Sequence, residues 1–410
     1  MNGNVTKIER DVAGKMTAFV SPFGQRTTLT TDANGYITSV TNPNGEVMRM
    51  TYTAKGLLTS MTNPRGIKAT YSYDAEGRLL RDDDAAGGFL KLSRVTNSDQ
   101  SIDVTLTTAQ ARTTKYHVSP FPAGGEARTI VSPSNLTTTI NRDSTNSTST
   151  TSPDGTKTAE QLAPDPRFGL STPIVKNSFA TMPSGLKLAT IGNRTVTLSN
   201  ASDPFSLTSL IDTTSINGRQ YTSKYDAGTK TFTDTTPQGR QAKVTIDAKG
   251  RVISQQTTGL FPVRYTYDAR GRVATVTAGV GTTLRTTTFA YDASSYLNSI
   301  VDPIGRRVSF ARDAVGRVKK QTLPDGRTIA FAYDQNGNLT GLTPPGRPEH
   351  KFTYDKLDQT AEYLPPAAGL PVSKTTYSYN LDRDPTSIAR PDGKSIAYTT
   401  RDPAPNATPF

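Results

Sequence analysis

Between Arg327 and Tyr333 the chain alternates. Arg327, Ile329, Phe331 and Tyr333 are large, and Thr328, Ala330 and Ala332 are small. A period of two marks an extended strand with two unlike faces. The same ending recurs as aromatic pairs: Tyr71 and Tyr73, Tyr265 and Tyr267, Phe289 and Tyr291, Phe331 and Tyr333, Phe352 and Tyr354, Tyr377 and Tyr379. Each pair falls on one face of one strand. Turn signals bracket these strands. Asp313-Ala-Val-Gly316 has Asp first and Gly fourth, which suits a type I turn capped by the Asp side chain. Pro324-Asp325-Gly326 supplies a fixed φ followed by a residue that tolerates positive φ. The unit from Asp313 to Tyr333 thus reads turn, strand, turn, strand.

The unit repeats every 21 residues. Asp11, Asp32 and Asp74 share one phase, with Thr53 in the remaining slot; Gly14, Gly35, Gly56 and Gly77 share a second, Pro22, Pro43 and Pro64 a third, and Gly24, Gly45, Gly66 and Gly87 a fourth. The grid returns with Asp226, Asp247 and Asp268, then after 24 residues with Asp292, Asp313, Asp334 and Asp355, and after 25 with Asn380. The two longer steps imply short insertions. Between 89 and 225 the grid fades, although Thr195-Val196-Thr197-Leu198 still alternates. The chain therefore divides into an array over 1–88, degenerate repeats or an interruption over 89–225, a second array over 226–400 and a tail over 401–410. Degenerate strands of the same sheet are preferred to a linker for the middle segment.

Two reversing turns per period predict an all-β fold: a long antiparallel sheet of tandem 21-residue β-hairpin repeats, wound as a spiral or partial hollow shell, because flat sheets of many strands are rare. Equivalent aromatics of successive repeats then lie about 9.6 Å apart, two strand spacings, and pack on the strand between them, for instance on Val318 or Leu339. A parallel β-helix shares the coil length but lacks paired reversing turns. A propeller needs a blade-length repeat that is absent.

Composition narrows the classes. Hydrophobic residues are 34% of 410, lean for a packed globule, yet 17 Tyr and 14 Phe argue against disorder. The absence of Cys excludes disulfides, Cys-ligated zinc and thiol catalysis. The net charge is +12, but the cations are dispersed and many recur at one turn position, so no specific nucleic-acid role is expected. No run approaches the roughly 20 apolar residues of a membrane span. Charges at Lys7, Glu9, Arg10, Asp11 and Lys15 interrupt any N-terminal signal sequence. Export by another route, from the cytoplasm to the outside, is the expectation.

His117 and His350 are without recognisable triad or metal partners and read as surface residues. Asp82-Asp83-Asp84 has the chemistry for a hard cation, but beside Gly87-Gly88 it reads as a solvated turn. No phosphate-binding glycine loop occurs. No catalytic, cofactor or metal residue is assigned, and the chain is not expected to be an enzyme.

Tyr267-Asp268-Ala-Arg-Gly271-Arg272, Tyr333-Asp334-Gln-Asn-Gly337-Asn338 and Tyr73-Asp74-Ala-Glu-Gly77-Arg78 resemble the YD repeat of Rhs-type proteins, more distantly that of teneurins. Asp313, Gly316, Arg317, Tyr354 and Asp355 occupy matching positions and complete the set of structural motif residues. The resemblance implies a spiral shell that encapsulates or scaffolds a polymorphic toxin domain in bacterial competition or virulence. Its partners would be a C-terminal toxin domain or remaining shell segments, with secretion-system or toxin-complex components. An extracellular adhesion or carbohydrate-binding module is the alternative. Family members end in an Asp-Pro-rich self-cleaving motif. Asp302-Pro303-Ile304-Gly305 lies in phase within the array and reads as an ordinary turn, and Asp402-Pro403 lacks the following Gly, so neither autoprotease nor toxin is expected in this chain.

Overall fold

A computed structural model describes residues 3–145, 147–366 and 374–398. The tail at 401–410, with Asp402-Pro403, lies outside the described residues. Within them run 35 β-strands and one three-residue 3-10 turn, Gly281–Thr283. Each strand pairs antiparallel with its predecessor and its successor, so the chain is one continuous meander. In the repeat blocks the strands hold mostly five or six residues, as in Leu58–Thr62, Lys68–Tyr73, Val318–Thr322 and Thr328–Tyr333. Strands continue through 89–225 in the same sheet, and several are long: Gly169–Thr181 has 13 residues and Lys187–Leu198 has 12.

The two turns of a repeat are the same hairpin loop. In one, Asp313 N–H donates to the Arg317 carbonyl at 3.0 Å and Gly316 N–H donates to the Asp313 carbonyl at 3.0 Å, with Gly316 at φ 91°. In the other, Leu323 N–H donates to the Arg327 carbonyl at 2.8 Å and Gly326 N–H to the Leu323 carbonyl at 2.9 Å, with Gly326 at φ 83°. Both are type I turns closed by one left-handed residue, the common three-residue hairpin connection. The structural step is therefore half the sequence period. Turns begin at Asp11, Ser21, Asp32, Asn42, Thr53, Asn63, Asp74 and Asp84, alternately 10 and 11 residues apart.

A bulge distinguishes the halves. Ala332 pairs with Gly341 and Tyr333 with Leu339, leaving Thr340 out of the ladder. Across the proline turn, pairing runs from Thr322↔Thr328 to Lys320↔Ala330 without a shift. The same shift falls beside Tyr52, Tyr73, Tyr267, Tyr291, Tyr354 and Tyr379. A bulge bends its strand and increases the local twist. One per repeat, always on the same hairpin, curls the sheet steadily in one direction.

The wall is a single sheet thick. Ala18, Leu29 and Pro262 are the only buried apolar side chains among the described residues. Stability rests on ladders and cross-strand pairs, with neighbour-only contacts as in other repeat arrays. Successive turns alternate edges, so the Asp turns line one edge of the sheet and the proline turns the other. The curl brings these edges together. The turn Asn42–Glu46 meets the turn Asp313–Arg317, 23 strands further along, and the resulting seam joins the first 112 residues to 270–384.

Candidate functional site

The Asp-turn edge is built from a five-residue unit. The Asp268 Oδ1 accepts the N–H groups of Arg270 and Arg272, both at 2.9 Å, and its Oδ2 accepts Nε of Arg272 at 2.7 Å. Asp74 holds Glu76, Arg78 and the Arg78 guanidinium in the same way, and Asp313 holds Val315, Arg317 and the Arg317 guanidinium. At Asp334 the amide of Asn338 replaces the guanidinium, and Asp355 keeps only its two backbone donors, Leu357 and Gln359. One carboxylate thus satisfies two otherwise free turn amides and orients the fifth side chain. Backbone and guanidinium donors from Arg78 hold the Asp74 carboxyl below its usual range, and the same donors from Arg251 bring Asp247 down to about 2. Gly77, Gly271, Gly316 and Gly337 all have φ between 83° and 91°. At Gly316 a Cβ would also lie 2.6 Å from the Tyr296 ring of the preceding repeat, so two independent constraints demand glycine there.

The tyrosine before each Asp is a tie between repeats. Tyr73, Tyr267, Tyr333 and Tyr354 donate their hydroxyls to the carbonyls of Leu58, Val252, Val318 and Leu339 at 2.8, 2.7, 3.0 and 2.8 Å, each 15 residues back. Those carbonyls lie beyond the end of the backbone ladder, which stops at Ser60↔Thr70 in one repeat and Lys320↔Ala330 in another. The hydroxyl supplies the missing donor. Where Arg312 replaces Tyr, its Nε donates to the Leu297 carbonyl at 3.1 Å, again 15 residues back. Insertions do not move the target: Tyr291 reaches Val273 across 18 residues and Tyr379 reaches Thr360 across 19. Arg251, Arg272 and Arg317 stack over Tyr267, Tyr291 and Tyr333, so the Asp of one repeat is linked through its Arg to the Tyr of the next.

The seam is polar. Arg317 Nη2 reaches Glu46 at 2.7 Å while its Nε stays on Asp313. Arg65 donates to Asp358 at 2.7 Å and to the carbonyls of Tyr354 and Asp355, and its backbone N–H donates to Asn336 at 3.1 Å. Asp358 stands where other repeats have Gly, at φ 62°, and also accepts from Asn336 and Asn338. Further along, Arg383 meets Asp84 at 3.3 Å, Arg112 meets Asp384 at 2.7 Å and Thr108 donates to Asp382 at 2.6 Å. At the other end Phe23 faces Arg270 and Arg272, and Asn4 donates to the Arg270 carbonyl. Burial works against the Glu46 charge, but donors from Asn42, Arg317 and Asn44 outweigh it and lower the carboxyl; at Asp358, Asn336, Asn338 and Arg65 do the same.

The teneurin YD-shell family matches residues 1–402 of this sequence. The chain belongs to that family. Its YD-shell role is that of a structural wall, in keeping with a sheet that closes edge to edge through its own turns. Similar solved structures include the Tc holotoxin pore of Photorhabdus luminescens, at 12% identity over 94% of this chain and 26% of that one, with a TM-score of 0.44. TcdB2-TccC3-TEV matches at 13% identity over 94% and 26%, TM-score 0.42, and TcdB2-TccC3 at 11% over 97% and 34%, TM-score 0.35. The chain spans about a quarter to a third of the length of these solved chains. No curated protein matches the sequence.

The YD motif residues thus share one edge, in two settings. Asp74 to Arg78 lie on a free rim, whereas Asp268, Arg272, Asp313, Arg317, Asp334 and Asp355 lie along the seam. The sequence pattern did not reveal Glu46, Arg65, Asp84, Asp358 or Asp382 as a set. The available signal was a variable charged residue inside otherwise regular turns. The Asp82–Asp84 run is taken up by cations: Asp83 pairs with Arg81 and Asp84 with Arg383. His117 bonds to Asp103 at 2.8 Å and His350 to the Tyr363 hydroxyl at 2.7 Å. No long apolar helix that could cross a membrane occurs among the described residues.

Proposed function

We propose that this YD-shell chain is a wall segment that encapsulates or scaffolds a toxin domain in bacterial competition or virulence, delivered outside the cell that makes it. The observation that carries this reading is the seam: a one-layer sheet with almost no core curls until its own edges meet 23 strands apart, which encloses space instead of filling it. The partners are a C-terminal toxin domain and further shell segments that continue the free rims. Limited proteolysis tests the proposal on the natural full-length polypeptide. A domain downstream of the repeats should be cut far more slowly in that context than as an isolated domain; equal rates overturn encapsulation.

A further inference from the structure

We infer that the register between windings is set by an alternating charge code on the seam, read by Glu46, Arg65 and Asp84 on the proline-turn side and by Arg317, Asp358 and Arg383 on the Asp-turn side. The inference concerns the wall alone and holds whatever the wall encloses.

Shape marks this register at one place only. A Cβ at Gly88 would lie 2.4 Å from the Leu381 carbonyl across the seam, where the equivalent turns carry Gln25, Glu46 and Ile67. Elsewhere the repeats present the same backbone turn, so sliding one winding past the other by a repeat returns a closely similar edge. Backbone ladders do not help, because they join only sequential strands. Apolar contact at the seam is confined to small patches such as Leu381 against Gly87 and Phe23 against two guanidiniums. What differs from turn to turn is charge. Along the proline-turn edge the order is Glu46, Arg65, Asp84; facing it are Arg317, then Asp334 and Asp358, then Arg383, whose turn also offers Asp382 and Asp384 to Arg112. From Glu46 to Asp84 the signs alternate on both sides and are opposite at each contact.

A slip of one repeat toward the C-terminus carries Glu46 to the site of Arg65, among Asp334 and Asp358. The opposite slip sets Arg65 on Arg317 and Asp84 on the same two carboxylates. Either error places like charges together in half-buried surroundings, where repulsion discriminates strongly against the wrong pairing. A single buried polar residue fixes coiled-coil register by the same logic.

Since the chain has no Cys, paired cysteines can report the register directly. Gln25 touches the Ser294 carbonyl across the seam, and Arg270 and Val315 hold the equivalent turn position one repeat to either side. Gln25→Cys is combined in turn with Ser294→Cys, Arg270→Cys or Val315→Cys in the full chain, and disulfide yield is read by mass spectrometry. Ser294 should dominate. Glu46→Lys with Arg65→Glu should lower the Ser294 yield about tenfold relative to its neighbours, and adding Arg317→Glu with Asp358→Arg should restore it. Arg is tolerated at a left-handed turn position, as Arg383 at φ 68° shows. Unchanged Ser294 dominance in the reversed chain with its sheet circular dichroism intact, or loss that the compensating pair does not rescue, overturns the inference. If the reversed chain does not fold, the natural charges are tested in about 1 M salt, where the Debye length is near 3 Å. Ser294 preference should then fade toward its neighbours, and full preference at high salt overturns the charge code.

Discussion

The regular blocks and the middle segment over 89–225 solve one problem in two ways. In the blocks, most repeats are tied locally: a Tyr hydroxyl closes the ladder, in most cases 15 residues back, an Asp carboxylate closes the turn, and strands mostly stop at five or six residues. In the middle, Tyr116, Tyr221 and Tyr225 make no such tie among the described residues, and the strands run on. Gly169–Thr181 pairs with Lys187–Leu198 only over Asn177–Thr181 and Lys187–Ile191. Beyond that point the two hairpins are held by side chains. Arg194 donates to Asp165 at 2.9 Å and to Asp212 at 2.6 Å, Phe168 meets Phe205 at 5.6 Å, and Gly192 lets the backbone approach Val175. Asp165 is 3% exposed, a rare buried charge in a wall with almost no core. The long strands thus lie where the tie is missing, and there a long-range charge cluster does the joining.

That contrast can be broken most severely at Arg194. Arg194→Ala takes from the buried Asp165 carboxylate its closest cation, leaving the Arg167 and Phe168 N–H donors and the Arg167 guanidinium, and should cost about 3 kcal/mol locally. Hydrogen exchange should show the loss over 162–198 while the repeat blocks keep their protection; a uniform or negligible change contradicts the assignment. Next comes Gly316→Ala, which meets both an unfavourable φ of 91° and the Tyr296 ring. About 2 kcal/mol of destabilisation is expected, measured by urea unfolding, against almost none for an exposed Ala→Gly change in the same block. Tyr333→Phe removes one hydroxyl bond and should cost about 1 kcal/mol, seen as faster exchange in Val318–Thr322. Tyr116→Phe in the untied middle should leave exchange unchanged.

The smallest effect is on acidity. Asp74 and Asp247 have lowered carboxyl pKa values, so each stabilises the fold fully above its ordinary pKa near 4. Their contribution disappears as pH falls through the folded value, about 2 for Asp247. Thermal unfolding followed from pH 5 to pH 2 should therefore show a progressive loss. Replacing Asp247 by Asn should flatten part of that slope; an unaltered slope would refute the linkage.

Much of the wall was legible because its rules are local. Asp313, Gly316 and the alternation of Ile329, Phe331 and Tyr333 each act within one hairpin, and their spacing alone predicts turn, strand and face. Two things were not legible. The 10-and-11 half-step was masked because one turn announces itself with Asp and Gly and the other with Pro, although their hydrogen bonds are identical. The seam was invisible because Glu46 and Arg317 are 271 residues apart, and their meeting depends on curvature summed over 23 strands. A residue such as Asp358, carried at positive φ in place of Gly, is the sort of local irregularity that marks a distant demand.

The tyrosine tie has a genetic corollary. Because Tyr291 and Tyr379 keep their carbonyl targets across lengthened turns, insertions at the proline-turn edge are absorbed where they arise. Duplication or loss of a whole repeat changes the girth of the wall by two strands and leaves every turn on its proper edge. A half-repeat would do otherwise: it would invert the edges of everything downstream and bring proline turns against proline turns. Recombination in such a gene is therefore free to resize the enclosure, but only in units that preserve parity.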